Sequence, residues 1–446
     1  MRTYIKTFII LLLAAAGTAK AQDVELTPFD TVAANEQKLN AAVSALQKLK
    51  ISGYLQAQYQ IADNPGIKSF AGGDFPEFSD NRFMVRRGRI KFAYEAYLAK
   101  YVLQFDVSEK GLSIKDAYLN VTDPYLNAFS ITAGVFNRPF GFEIPYSSSQ
   151  RESPERSRFT QTLFPGERDL GAMLTFQMPK TSPLNFLKID AGFFNGNGTN
   201  PETDKKKDFI GHIGIAKATK DEKIKYGLGF SYYDGGVSIG KVSLDVQGAV
   251  PTGKTRAAQT YEQRTINDTV SFVKISGDSI VGSFHKRSYF GLDAQLTIET
   301  PIGFSTLRGE YIAGKQPGTE KSTTSPTVAT SADTYLRKVN GAYVYFVQSF
   351  TGTKLSVVAK YDIYDPNTDI SGNQIGLKPK VGKYKASTAA DIKYNTLGLG
   401  LIYAYTPNIK FTAYYDMVKN ETSKNLVGYD SDIKDNVWTL RLQYKF

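Results

Sequence analysis

From Ile51 onward the chain alternates. Ile51, Gly53, Leu55, Ala57, Tyr59 and Ile61 fall on one side of an extended backbone, and Ser52, Tyr54, Gln56, Gln58 and Gln60 fall on the other. The same period of two returns at Leu397, Leu399, Leu401, Tyr403 and Tyr405, and again at Ile409, Phe411, Ala413 and Tyr415. We read sixteen such segments, at 51–61, 84–96, 100–108, 113–122, 128–136, 169–178, 186–194, 209–217, 224–233, 288–299, 302–313, 341–350, 353–364, 396–405, 408–418 and 436–446. An even number lets an antiparallel sheet close on itself and leave no bare edge. The 28 Tyr, 28 Phe and 38 Gly supply strand-forming rings and turns. The fold class that meets these demands is all-β, a transmembrane antiparallel β-barrel of about 16 strands with a short N-terminal helix.

The connections alternate as well. Thr300-Pro301, Thr351-Gly352-Thr353 and Thr406-Pro407-Asn408 are tight, whereas 138–168, 234–287, 314–340, 365–395 and 419–435 are long. Short inner turns and long outer loops produce this asymmetry. Segments 237–248 and 269–280 leave room for an extra hairpin in the second of these loops. In the terminal segment Trp438, Leu440, Leu442, Tyr444 and Phe446 face one way, and Thr439, Arg441, Gln443 and Lys445 the other. An aromatic end on such a strand resembles an outer-membrane insertion signal.

Ahead of the strands, Arg2 and Lys6, an apolar run from Phe8 to Ala16 and then Ala19-Lys20-Ala21 follow the order of a secretory signal, with cleavage expected after Ala21. The run is shorter than the roughly 20 residues a membrane helix needs. We therefore read 1–21 as a signal peptide, 22–50 as a periplasmic helical extension and 51–446 as the barrel. The helical extension rests on the spacing of Val32, Leu39, Val43, Leu46 and Leu49; plug, coiled coil and plain spacer all remain open for it. Removing Arg2, Lys6 and Lys20 from the 54 basic residues leaves 51 against 43 acidic ones, a net charge of +8. In an exported chain a cationic pore lining or contact with anionic lipid explains this better than nucleic acid does. Cysteine is absent, which excludes disulfides and thiol chemistry.

If Ile90, Phe92, Tyr94 and Ala96 meet lipid, Arg87, Arg89 and Lys91 line the lumen. The opposite register would put cations at the bilayer midplane, at roughly 2–4 kcal/mol each. Arg86 is expected at the outer rim. The long segment 138–168 contains Arg138, Arg151, Arg156, Arg158 and Arg168, and with Asp169 an equal number of carboxylates in Glu143, Glu152, Glu155 and Glu167. Any charge preference must then come from placement. Pro139-Phe140-Gly141-Phe142 offers a turn and two rings to pin this loop. Arg308 and Glu310 share a face and are expected to neutralise each other, and Arg441 with Lys445 points inward. The oxygen-rich stretch from Asn195 to Asp204 has no calcium-loop spacing. Neither a metal nor a cofactor is expected.

Taken in order, several motifs resemble the phosphate-selective porin O and P family. They are Arg86-Arg87-Gly88-Arg89, Lys115-Asp116-Ala117-Tyr118-Leu119, Gly134-Val135-Phe136-Asn137-Arg138-Pro139-Phe140-Gly141-Phe142-Glu143, Glu155-Arg156-Ser157, Arg168-Asp169-Leu170-Gly171, Phe194-Asn195-Gly196-Asn197-Gly198, Lys207-Asp208-Phe209 and Arg308-Gly309-Glu310-Tyr311. The resemblance runs from the first strand to residue 446; His212 departs from it, standing where a more basic residue is expected. It implies a sixteen-stranded barrel, usually a homotrimer, in the outer membrane of a Gram-negative cell. In such a barrel an inward-folded third loop and a ladder of arginines and lysines pass small anions such as phosphate or polyphosphate by diffusion. The anion pathway expected here is Arg87, Arg89, Lys91, Arg138, Arg151, Arg156, Arg158, Arg168, Arg308 and Arg441. A non-selective general porin is the alternative within this class. A barrel hydrolase is the alternative from another class, and it would need His212 or His285, neither of which has a triad context.

Overall fold

The computed structural model describes residues 47–244, 253–267, 269–275, 280–329 and 331–446, together with Glu36, Leu39 and Val43. Glu36, Leu39, Val43 and Gln47 are helical. The signal segment and the rest of the expected helix lie outside the described residues.

Sixteen strands form one closed antiparallel barrel. They are β1 (Leu49–Ala62), β2 (Asn81–Ala96), β3 (Ala99–Ser108), β4 (Gly111–Thr122), β5 (Phe129–Asn137), β6 (Arg168–Gln177), β7 (Leu187–Phe194), β8 (Asp208–Ala218), β9 (Ile224–Ser238), β14 (Phe284–Thr300), β15 (Gly303–Gly318), β16 (Thr334–Phe350), β17 (Leu355–Asp365), β18 (Tyr394–Ala404), β19 (Ile409–Asn420) and β20 (Val437–Lys445). Each pairs with the next, and β1 pairs antiparallel with β20 to close the ring. At that seam the backbones of Gly53 and Phe446 exchange two hydrogen bonds of 3.0 Å.

Alternation sorts the two faces as the sequence requires. Leu119, Ile131, Leu174, Leu228, Leu292, Leu307, Val344, Leu399 and Leu440 are exposed on the outer wall. Aromatic pairs bound this apolar zone. Phe129–Phe176 (centroids 5.1 Å apart), Tyr403–Tyr405 (6.3 Å) and Tyr444–Phe446 (6.2 Å) stand toward the short turns. Tyr59–Phe83 (4.5 Å), Phe193–Phe209 (5.6 Å), Phe290–Tyr311 (6.3 Å) and Tyr415–Trp438 (4.4 Å) stand toward the long loops. From Phe446 to Trp438 the strand covers about 27 Å, or about 20 Å once tilted, close to the height of an outer-membrane hydrocarbon band. Facing inward, Gln56, Gln58 and Gln60 of β1 are buried.

Three details depart from the sequence reading. On the long-loop side β3 and β4 are joined through Glu109 and Lys110 alone, so that end carries one tight turn among its loops. Strands β9, β14, β15 and β16 extend past the expected limits at that end. There they leave the membrane, outward residues become polar and the apolar alternation that marked the strands fades. The segment between β9 and β14 holds two hairpins: β10 (Lys241–Ser243) with β11 (Thr255–Ala257), and β12 (Thr260–Ile266) with β13 (Thr269–Lys274). Its β12 runs parallel to β16 through Thr260–Thr334 and Glu262–Leu336, which joins the hairpin to the barrel sheet.

Candidate lumen pathway

The segment between β5 and β6 folds into the barrel. It carries one short helix, α1 (Arg158–Leu163). Phe140, Ile144, Phe159, Leu163 and Phe164 are buried in a cluster with inward-facing Tyr233, Tyr289, Ile312, Tyr343 and Tyr364. Phe140 meets Phe164 at 4.9 Å and Phe159 stacks on Tyr343 at 6.1 Å. Five large apolar side chains removed from water contribute on the order of 10 kcal/mol to holding the loop. Polar contacts fix its two sides. Gly141 N–H donates to Ser231 Oγ at 2.9 Å, and the backbone N–H groups of Phe142 and Glu143 donate to Glu310 Oε2 at 3.2 and 3.1 Å. Across the lumen, Gln56 Nε2 donates to Ser148 O at 2.9 Å and Gln443 Nε2 to Ser149 O at 3.0 Å. At Gly141 φ is +62°, and a Cβ would lie 1.8 Å from Glu310 Oε1. Only glycine fits there.

The expected pathway cations all reach the lumen or its loop, yet most are held by carboxylates. Arg86 Nε, Arg87 Nη2 and Arg441 Nη2 converge on Glu155 at 2.8, 2.6 and 3.1 Å. Burial alone would raise the Glu155 carboxyl, but Arg86, Arg87, Arg441 and Arg151 outweigh it and hold it well below the ordinary range. Arg89 pairs with Asp106 at 3.2 Å and Arg138 with Asp169 at 3.0 Å. Arg168 donates to Asp116 at 3.0 Å and to Glu167 at 2.9 Å. Arg156 bonds Glu167 and three carbonyls, those of Glu143 at 2.9 Å and of Ile144 and Tyr146 at 3.1 Å. Three cations stand apart. Arg151 caps the carbonyls of Ser153 and Pro154, its Nη1 without a hydrogen-bond partner among the described residues, and Arg158 lies over the rings of Phe70 and Tyr394 at 4.4 and 3.8 Å. Lys91, on the inward face of β2, has no ion-pair partner among the described residues.

Two expectations are corrected. Arg308 and Glu310 do not neutralise each other: Arg308 grips Glu152 with two bonds of 2.9 and 3.0 Å, while Glu310 is taken up by the loop backbone and by Tyr343 Oη at 3.1 Å. Nor does Arg86 sit at a rim. On β2 the inward set shifts phase between Arg86 and Arg87, so both reach the same carboxylate.

Two cavities flank the loop. One of 570 Å³ reaches Asn185 and Phe186 of the short β6–β7 connection and carries Lys91, Lys100, Arg138 and Lys188 against Asp116, Asp190 and Asp293. The other, of 300 Å³, carries Arg89, Lys91, Arg156, Arg168 and Lys445 against Asp116 alone. They share Lys91, Asp116, Asn137 and Pro145. His212 faces the larger cavity with Nε2 3.3 Å from Asp293 Oδ2. Lys445, read from the sequence as inward, lines the second cavity. Lys100 and Lys188 were not singled out; each is an inward position of a strand already read correctly, so the face assignment alone could have found them.

No family model and no curated protein matches the sequence. Among solved structures the chain is similar to Pseudomonas putida OprB, at 10% identity and a TM-score of 0.52, covering 92% of this chain and 97% of that one. It is similar also to Salmonella typhi OmpF, at 12% identity and a TM-score of 0.50, covering 89% and 97%. The chain is an outer-membrane β-barrel. Both neighbours are outer-membrane porins. At these identities the likeness is one of fold, and the chemistry of this barrel has to be argued from its own lumen.

Proposed function

We propose that the barrel is a porin passing small anions by diffusion, with phosphate-like anions as its substrate class, and that it assembles as a homotrimer. The observation that carries the anion preference is the 300 Å³ cavity beside the inward loop, where Arg89, Arg156 and Arg168 are answered by Asp106, Glu167 and Asp116 while Lys91 and Lys445 have no ion-pair partner among the described residues. Two unit charges about 5 Å apart interact by roughly 0.8 kcal/mol in water and about 3 kcal/mol at an effective dielectric of 20. Attraction of that size favours entry and still permits release, as conduction requires. The paired arginines act differently from the expected ladder: Arg87, Arg308 and Arg441 hold the loop through Glu155 and Glu152, and Lys91, with no ion-pair partner among the described residues and common to both cavities, is the cation most available to a passing ion.

The test is the reversal potential of the purified protein in a planar bilayer under a potassium chloride gradient. A cation-to-anion permeability ratio below one is expected, rising several-fold in Lys91→Glu. A ratio at or above one in the wild type would establish a general or cation-passing porin instead, a reading favoured by the near balance of charge in the larger cavity. A hydrolase would build on His212 and Asp293, but no hydroxyl is bonded to His212 among the described residues. His285 shares a hydrogen bond of 2.5 Å with Thr260 Oγ1. Peptide and phospholipid hydrolysis assays are expected to show no turnover.

A further inference from the structure

Outside the lumen, three lysines share the outward face of the barrel near its long-loop end. Lys286 lies on β14, Lys315 on β15 and Lys338 on β16, and the register sets Lys315 directly opposite Lys338. Toward the membrane the same outward rows continue into Phe290, Tyr311 and Val344, all exposed on the wall. The four residues from Tyr311 to Lys315 span about 13 Å of strand, or about 10 Å of height once tilted. This raises the ammonium groups from the hydrocarbon band to the level of lipid headgroups.

Like charges directly opposite on a sheet repel. Lys286 and Lys338 are partly compensated, by Asp234 at 3.3 Å and Asp369 at 3.1 Å. Lys315 has no ion-pair partner among the described residues. Together with Leu336 of β16 and Glu262 and Gln263 of β12, the three lysines line a cavity of 260 Å³. Asp369 lies on the same cavity wall. Three ammonium groups gathered around one cavity, one of them without an ion-pair partner among the described residues, suit an anion with several oxygens. At this height, on a wall that faces lipid, such an anion comes with an acyl chain.

We propose that this cavity binds the phosphate group of a phosphorylated lipid headgroup in the outer leaflet, with the acyl chains descending over Phe290, Tyr311 and Val344. The test uses the full barrel in detergent and a bisphosphorylated lipid A as probe, with binding read by native mass spectrometry. The wild type is expected to retain the lipid. Lys315→Gln with Lys338→Gln is expected to weaken retention at least tenfold, Lys315→Ala alone to weaken it several-fold, and Lys315→Arg with Lys338→Arg to preserve it. Heat-modifiable gel migration checks that each barrel is closed. Equal retention by the wild type and the double glutamine variant would overturn the proposal, as would undiminished binding of the dephosphorylated lipid. Displacement by free pyrophosphate at a concentration equal to that of the lipid would overturn the lipid source and assign the cavity to a soluble anion.

Discussion

Glu155 is buried among three guanidiniums, and removing its charge leaves all three uncompensated. Glu155→Gln is therefore expected to destabilise the barrel by roughly 3–5 kcal/mol, read as a lower urea midpoint for unfolding from lipid vesicles. The pH dependence follows from the direction of the shift. A carboxyl held below its unfolded value of about 4.3 contributes in full above that pH, and the contribution drains away as pH falls toward the folded value. The Glu155 contribution should be constant above about pH 5 and fall away below about 4.3, so below that pH the wild-type midpoint should drop more steeply than the Glu155→Gln midpoint. That Arg87, Arg89 and Arg441 point inward was legible in the sequence, because alternation and the lipid penalty leave no other choice. Which carboxylate receives each of them was not. Arg441 and Glu155 lie 286 positions apart, and only closure of the ring brings them together.

Among elements, the inward loop between β5 and β6 shows how a segment with only one short helix can be held rigidly. Its length, its place after the fifth strand and its aromatic pair at Phe140 and Phe142 were all readable. Its route was not, because the loop is guided by single contacts such as the N–H groups of Phe142 and Glu143 on Glu310, and no periodicity announces them. Gly141→Ala is expected to cost at least about 2 kcal/mol, from positive φ and from the collision with Glu310. The displaced loop should also give larger, noisier conductance steps in single-channel recordings; steps identical to wild type would mean that this contact does not hold the loop. Phe159→Ala removes a fully enclosed ring and is expected to cost about 3–5 kcal/mol by the same unfolding assay. The strands themselves were legible only within the membrane. Above it, β14 to β16 continue with Lys286, Lys315 and Lys338 outward, where water and headgroups replace lipid and apolar residues are no longer demanded.

For the whole molecule, selectivity built on charge must yield to salt. The screening length falls from about 10 Å at 0.1 M to about 3 Å at 1 M. The permeability ratio is expected to approach unity at 1 M potassium chloride, and a ratio that stays constant would place the selectivity in a size filter. A second consequence comes from the seam, where Gln56 of β1 bonds Gln443 of β20 across 387 positions of chain at 2.8 Å. Until those two strands meet, both present unsatisfied backbone along their length, a surface that invites mispairing with any neighbour. A chain clipped before β20 would therefore yield no narrower pore, only an adhesive open sheet. Safe delivery to the membrane thus demands an escort that shields both margins until the circle is complete.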